Sequence, residues 1–140
     1  MNLEEIEKLP DILNTETLEF LFQTVLNEFG SESITKKEFL LILSELADRQ
    51  GMTYELLKSS IRKRIDEVLC TLWNTDSYED VDLILSIVVN LGLESCFDII
   101  KQSVSKNNKI DKVILDEILE TINEVGDHIS NPYYSMEKYK

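Results

Sequence analysis

The chain has 140 residues and a formal net charge of −13, with 27 acidic side chains against 14 Lys and Arg. A negative charge of this size disfavours direct binding to nucleic acid or to an anionic membrane surface, because their phosphates would be repelled. The length suits one domain with a buried core, and only two prolines and four glycines interrupt it. This composition favours long helices with short loops over a β-sandwich, which needs many turns.

Apolar side chains recur at the spacing of an α-helix in seven successive segments. The first segment is short, near Leu3 to Leu9, and ends at Pro10. The other six are predicted at about Thr15–Phe29, Thr35–Arg49, Thr53–Trp73, Ser77–Leu91, Glu94–Ser105 and Asp111–Val125. The loops between them are short, so consecutive helices should run antiparallel.

Residues that favour helix ends flank most of these segments. Thr35 and Glu38 fit a capping box, in which each side chain accepts a hydrogen bond from the other residue's backbone N–H. The other predicted N-caps are Ser77, Ser95, Thr53, Asp111 and Asn14 or Thr15. Left-handed C-terminal residues are predicted at Gly30, Gly51, Gly92 and Gly126.

These elements predict an all-α fold of about seven helices, in which antiparallel hairpins stack as a HEAT-like array or an irregular bundle. The fifth segment is rich in Val and Ile and could also form a buried strand, but Ser77 before it and Gly92 after it favour a helix. Its near-continuous apolarity predicts a helix covered on most sides. We expect one domain over residues 1–129 and a frayed tail over residues 130–140.

The chain carries no sequence sign of export or membrane insertion. Its N-terminus is acidic and lacks the basic and apolar regions of a signal peptide, and no apolar run approaches the length of a membrane span. The two cysteines, Cys70 and Cys96, lie inside apolar patterns without metal-ligand spacing. We therefore expect a cytoplasmic protein with reduced, buried thiols.

The sequence contains no recognisable catalytic set. The single histidine, His128, lies near the C-terminal end, and no zinc-protease, phosphate-loop or nucleophile-elbow motif is present. We expect neither an enzyme nor a cofactor. A metal site made only of carboxylates stays open as an alternative, although the stretch from Asp76 to Asp82 lacks the central Gly and distal Glu of a calcium loop.

The most informative feature is a stretch without cations: no Lys or Arg occurs between Ile65 and Ile100, where acids are frequent. Some of these acids favour the first turn of a helix because they complement the helix dipole. The helix dipole does not explain Asp82, and the stretch contains no cation that could neutralise its charge. Glu79 and Asp82 on the fifth helix, with Glu94 and Asp98 on the sixth, are predicted to form one acidic patch.

This patch predicts a protein partner with a basic surface. Its predicted contact residues are Asp76, Tyr78, Glu79, Asp80, Asp82, Glu94 and Asp98. Further acids of the seventh helix would extend it, namely Asp116, Glu117, Glu120 and Glu124. Tyr78 is the better aromatic contact, because Trp73 continues an apolar stripe and fits the core at least as well.

A long helix, the polar loop Asn74–Thr75–Asp76 and an apolar helix ending in Leu91–Gly92–Leu93–Glu94 follow one another in this region. The block resembles all-α immunity proteins of bacterial polymorphic-toxin and contact-dependent growth inhibition systems. The resemblance implies a tight complex with one cognate toxin, often a basic nuclease such as an RNase or DNase, whose active site is covered. No motif of the family assigns a role to an individual residue, so the contact residues depend on the charge argument.

The sequence therefore predicts an immunity protein that neutralises a basic toxin through an acidic surface. A helical adaptor that binds a peptide or a helix in a groove is the alternative, and it would require an exposed apolar groove. The oligomeric state is open.

Overall fold

The computed structural model describes residues 1–106 and 109–133, and this part of the chain forms seven α-helices and no strand. The helices are α1 (Leu3–Glu7), α2 (Thr15–Gly30), α3 (Lys36–Gly51), α4 (Ser59–Leu72), α5 (Tyr78–Leu91), α6 (Glu94–Lys106) and α7 (Lys112–Val125). The predicted all-α fold is confirmed, and α5 is a helix rather than a strand.

The predicted start of α4 at Thr53 is wrong, because residues 52–54 form a turn after α3 and α4 begins only at Ser59. The Thr53 hydroxyl does not cap a helix; it donates to the Gln50 carbonyl at 2.7 Å and accepts from the Glu55 N–H at 3.1 Å. The hydrogen bonds of the Thr53 hydroxyl are therefore made within a local turn and not to the first turn of a helix.

Helices α2 to α7 stack as three hairpins in two layers. Helices α3, α5 and α7 lie side by side in one layer, and α2, α4 and α6 lie side by side in the other. Within a layer the helices run parallel: Lys37 contacts Glu79 near the starts of α3 and α5, and Asp48 contacts Asn90 near their ends. This is the stacked-hairpin arrangement of a helical solenoid.

Helix α5 lies at the centre of its layer, with α3 on one side and α7 on the other. This position explains why its sequence is apolar on most sides. Its buried residues are Val81, Ile84, Leu85, Ile87, Val88 and Leu91. Trp73, at the end of α4, is half-buried against the same core, and its indole N–H donates to the Ser103 hydroxyl at 3.2 Å.

Four of the predicted N-caps are confirmed: Asn14, Thr35, Ser77 and Asp111 each accept from a backbone N–H in the first turn of the following helix. Helix α6 is different. Its first amides, at Ser95 and Cys96, donate to the carboxylate of Asp66 on α4 at 3.0 and 2.8 Å. The predicted cap at Ser95 is therefore wrong, because a neighbouring helix supplies the capping group.

Of the four glycines predicted to be left-handed, only Gly92 adopts that conformation, with φ 71° and ψ 49°. Gly126 has a positive φ of 56°, but its ψ of −125° lies outside the left-handed helical region. Gly30 and Gly51 are the last residues of their helices, and the positive φ angles near them belong to Glu32 and Tyr54.

The N-terminal helix α1 is fixed to α3 by Arg49, which is 5 % exposed. Its guanidinium donates to the carbonyls of Ile6, Leu9 and Pro10 at 3.0–3.1 Å and pairs with Glu45 at 3.0 Å. These hydrogen bonds tie the last turn of α1 and the residues just after it to α3. Glu38 accepts a 3.4 Å hydrogen bond from the Leu3 N–H.

The segment after α7 crosses the end of the layer formed by α3, α5 and α7 and runs towards α3. Ile129, Ser130 and Pro132 lie beside Gly92, and the Tyr133 hydroxyl is 2.9 Å from the carbonyl oxygen of Glu55. Residues 130–133 are thus in contact with the domain, although the sequence predicted a frayed tail from residue 130; residues 134–140 lie outside the described part of the chain. In the two described ranges, no helix has the length and apolarity needed to cross a membrane.

Candidate functional site

The first acids of α5 are paired with cations from α3. Glu79 contacts Lys37, and Asp80 lies 3.1 Å from the ammonium nitrogen of Lys36. Asp80 is mostly buried at this contact, whereas the Glu79 side chain stays 74 % exposed. The expectation that no lysine balances this acidic stripe is wrong for these two residues, because the parallel packing of α3 and α5 places two helix starts together.

Asp82 faces α7 instead, one turn further along α5. There it lies beside Glu117, and a shallow groove between the helices continues past it. The polar residues of this groove are Asp82, Ser86 and Asn90 from α5 and Glu117, Thr121 and Glu124 from α7. Among residues 1–106 and 109–133, no Lys or Arg forms an ion pair with Asp82, Glu117 or Glu124.

The Glu117 carboxyl group is held in an unfavourable environment. Burial, followed by the neighbouring Asp82 carboxylate, raises its pKa above the ordinary value of 4.5. Its Oε2 atom is buried without a hydrogen-bond partner. A hydrogen bond to Glu117 in turn raises the pKa of the Tyr78 hydroxyl. Two close carboxylates without a cation repel each other, so a positive group placed here would relieve the repulsion.

Exposed apolar surface adjoins these acids at the start of α5. Tyr78 is 47 % exposed and Val113 is 63 % exposed, and both line a recess with the exposed Asp76. The amide N–H of Asp76 donates to Asn74 at 3.0 Å, which fixes the loop before α5. Lys109 and Asp111 line the same recess, so both signs of charge adjoin this apolar area. Exposed aromatic side chains are enriched at protein interfaces.

We call this region the α5/α7 surface, defined by Asp76, Tyr78, Asp82, Val113, Glu117 and Glu124. Sequence reasoning named Asp76, Tyr78 and Asp82 as contacts and considered Glu117 and Glu124 as an extension, but it missed Val113. Val113 shares one face of α7 with Glu117, Thr121 and Glu124, and the sequence already displays their spacings of four, four and three residues.

Glu94 and Asp98 lie elsewhere, because α6 belongs to the other layer. Glu94 shares a recess with Arg62 and Lys63 of α4, and Asp98 is 3.5 Å from the ammonium nitrogen of Lys101. The prediction that the outer acids of α5 and α6 form one patch is therefore wrong. The outer faces of two packed layers point in opposite directions.

The described residues offer limited chemistry besides charge. Within 1–106 and 109–133, no group of three or more His, Cys, Asp or Glu is placed to hold a metal ion. His128 is exposed and lines a recess with Val89 and Glu124, which also line the groove between α5 and α7. Cys70 and Cys96 are free thiols, and burial raises the pKa of both.

Neither a protein-family model nor a curated protein nor a solved structure matches this chain.

Proposed function

We propose that this chain is an immunity protein that binds and neutralises a basic, nuclease-type toxin through the α5/α7 surface. The observation that carries the proposal is the pair of carboxylates at Asp82 and Glu117. They lie side by side, one of them partly desolvated, without an ion-paired cation among residues 1–106 and 109–133. A Lys or Arg of a partner would supply the missing positive charge.

The surroundings of this pair support a protein partner. Tyr78 and Val113 offer exposed apolar area beside the acids, which suits a contact that combines desolvation with charge. The net charge of −13 would steer a basic protein towards this surface and would repel nucleic acid. Carboxylates can also occupy positions on a nuclease that otherwise hold the phosphates of its substrate.

A helix-binding adaptor has less support. The groove between α5 and α7 contains two apolar side chains, Leu85 and Val89, of which Leu85 is buried. Its other lining residues are polar or acidic, whereas an amphipathic helix needs an apolar groove.

The test uses the product of the neighbouring gene as a catalytically inactive protein. Isothermal titration calorimetry would compare the wild-type chain with an Asp82→Asn/Glu117→Gln variant. We expect this variant to bind at least about tenfold more weakly, because two charges opposite a basic surface are lost. We also expect the wild-type affinity to fall between about 50 mM and about 300 mM NaCl.

A Glu94→Gln/Asp98→Asn variant is the matched control, because it removes the same two charges from the opposite layer. We expect it to change the affinity by less than about twofold. Equal losses in the two variants, or an affinity that salt leaves unchanged, would contradict the proposed surface. A wild-type chain that does not bind the neighbouring protein would contradict the proposed function.

A further inference from the structure

The loop between α3 and α4 exposes three large apolar side chains within five residues. Met52 is 48 % exposed, Tyr54 is 60 % exposed and Leu56 is 50 % exposed. Single exposed apolar residues are common on protein surfaces, but a cluster of them marks a site of interaction more often. Leu57, the next residue, is buried and anchors the loop to the core.

Several hydrogen bonds hold this loop in one shape. The Gln50 side chain is almost fully buried, and its amide N–H donates to the Glu55 carbonyl at 2.8 Å. Thr53 adds its two hydrogen bonds across the same turn. The hydroxyl of Tyr133 reaches the carbonyls of Gln50 and Glu55 at 3.1 and 2.9 Å. The apolar side chains are thus presented on a fixed backbone, which lowers the entropy that binding would cost.

Tyr54 has a backbone conformation that its residue type disfavours. Its φ of 57° lies in the left-handed region, which a Cβ atom disfavours. A glycine would avoid that strain, yet the position carries an aromatic ring. The ring lies 6.0 Å from that of Tyr133 and stays mostly exposed. Strain of this kind is often found at functional sites.

The charges around the loop are mainly negative. Asp11, Glu45 and Asp48 line a recess with Met52, and Glu55 lies within the loop itself. Arg49 also lines this recess, but its guanidinium is buried and pairs with Glu45 and with the Ile6 carbonyl of α1. Lys58 lies at the end of the loop, and with it included the four acids still outnumber the cations.

The loop also adjoins the layer that contains the α5/α7 surface. Asp48 accepts a hydrogen bond from the side chain of Asn90 at 3.3 Å, and Asn90 lines the groove between α5 and α7. An acidic surface on this layer of helices therefore extends from that groove to the apolar loop. A partner that covers the groove would lie within reach of the loop.

We propose that Met52, Tyr54 and Leu56 form a second contact with the same partner and insert into an apolar pocket whose rim carries Lys or Arg. The acids beside the loop select the basic rim, and the three apolar side chains fill the pocket. This inference rests on the proposed function.

The two contacts should act on different steps of binding. Charges act over a distance and change mainly the association rate, whereas a desolvated apolar anchor changes mainly the dissociation rate. Loss of the loop contact should therefore shorten the lifetime of the complex without slowing its formation.

Biolayer interferometry with the immobilised, inactive product of the neighbouring gene separates these rates. The variants are Tyr54→Gly, which relieves the backbone strain as it removes the ring, and Leu56→Ser. Phe20→Ser is the matched control, because Phe20 is 67 % exposed on α2 in the other layer. We expect both loop variants to dissociate about tenfold faster, with an association rate within about twofold of the wild type.

Faster dissociation confined to the loop variants supports the inference, provided that circular dichroism shows folded chains. Dissociation rates equal to that of the Phe20→Ser variant would overturn it and leave the proposed function intact. No binding by the wild-type chain overturns the proposed function, and the inference falls with it. Slower association of the loop variants would also overturn the inference that the loop acts on the dissociation rate alone.

Discussion

Glu117 illustrates at the scale of one residue how two neighbouring acids can weaken a fold. Burial and the neighbouring Asp82 raise its pKa above 4.5, so the folded chain disfavours the ionised carboxylate. Below the ordinary pKa the group is neutral in both the folded and the unfolded chain and has no such effect. As the pH rises through the raised pKa of the folded state, ionisation lowers the free energy of unfolding.

A Glu117→Gln variant should therefore be more stable than the wild type at neutral pH. We expect a gain of less than about 1 kcal/mol in the free energy of unfolding, because the side chain is only partly buried. The gain should be present at a pH of about 7 and absent at a pH of about 4. Urea unfolding at both values measures it, with Asp116→Asn on the exposed face of α7 as the control. A variant that is less stable at neutral pH would contradict the placement of this carboxyl group.

The acids of α5 show how much of the charge pairing could be predicted from the sequence. Carboxylates at the start of α5 were expected from helix-dipole chemistry, which is local. Their actual partners, Lys36 and Lys37, precede them by some forty residues and meet them only because α3 and α5 pack in parallel. Asp82, which has the same charge and lies on the same helix, meets an acid instead.

At the scale of elements, the turn between α5 and α6 depends on Gly92. Its φ of 71° favours glycine, and a Cβ atom built there would lie 2.8 Å from the Ile129 carbonyl oxygen. The C-terminal segment therefore uses the absence of a side chain to pack against this turn. Gly30 has open space around it and an ordinary φ, at the end of α2.

The two glycines should respond to alanine in opposite directions. We expect Gly92→Ala to lower the free energy of unfolding by about 2 kcal/mol, from the left-handed φ and the contact with Ile129. Gly30→Ala should raise it by about 0.5 kcal/mol, because alanine restricts the unfolded chain and fits the helix. Urea unfolding of both variants decides this. A loss of stability at both positions, or at neither, would contradict the described turn.

Element boundaries show the limit of local signals. Side chains that cap their own helix, such as Asn14 and Asp111, were found from the sequence because the capping group lies within three residues of its amide. The cap of α6 could not be found this way, since Asp66 lies on another helix. The late start of α4 was also missed, because Thr53 is recruited into a turn that Gln50 and Tyr133 complete.

At the scale of the whole molecule, the net charge of −13 opposes the compact state. Added monovalent salt screens this repulsion, since the Debye length falls to about 10 Å at 0.1 M. We expect the midpoint of thermal unfolding to rise by about 3 °C or more between about 10 mM and about 200 mM NaCl.

Calorimetry or circular dichroism can follow this midpoint, with choline chloride at equal ionic strength as the control for specific ion binding. The two salts should have the same effect if screening is the cause. A midpoint that stays constant or falls in both salts would mean that local ion pairs, such as Lys36 with Asp80, outweigh the overall repulsion.

The sequence by itself determined the helices, most of their caps and the acidic character of this protein, because helical hydrogen bonds and capping contacts join residues close in the chain. It also indicated that α5 would be central, since a helix that is apolar on most sides must be covered. Only the tertiary structure decided which acids are neutralised and which remain. Packing in two layers joins Glu79 and Asp80 to lysines, turns Glu94 and Asp98 to the opposite side, and leaves Asp82 beside Glu117. Charge pairing depends on distance in space, and that distance is set by how the helices stack.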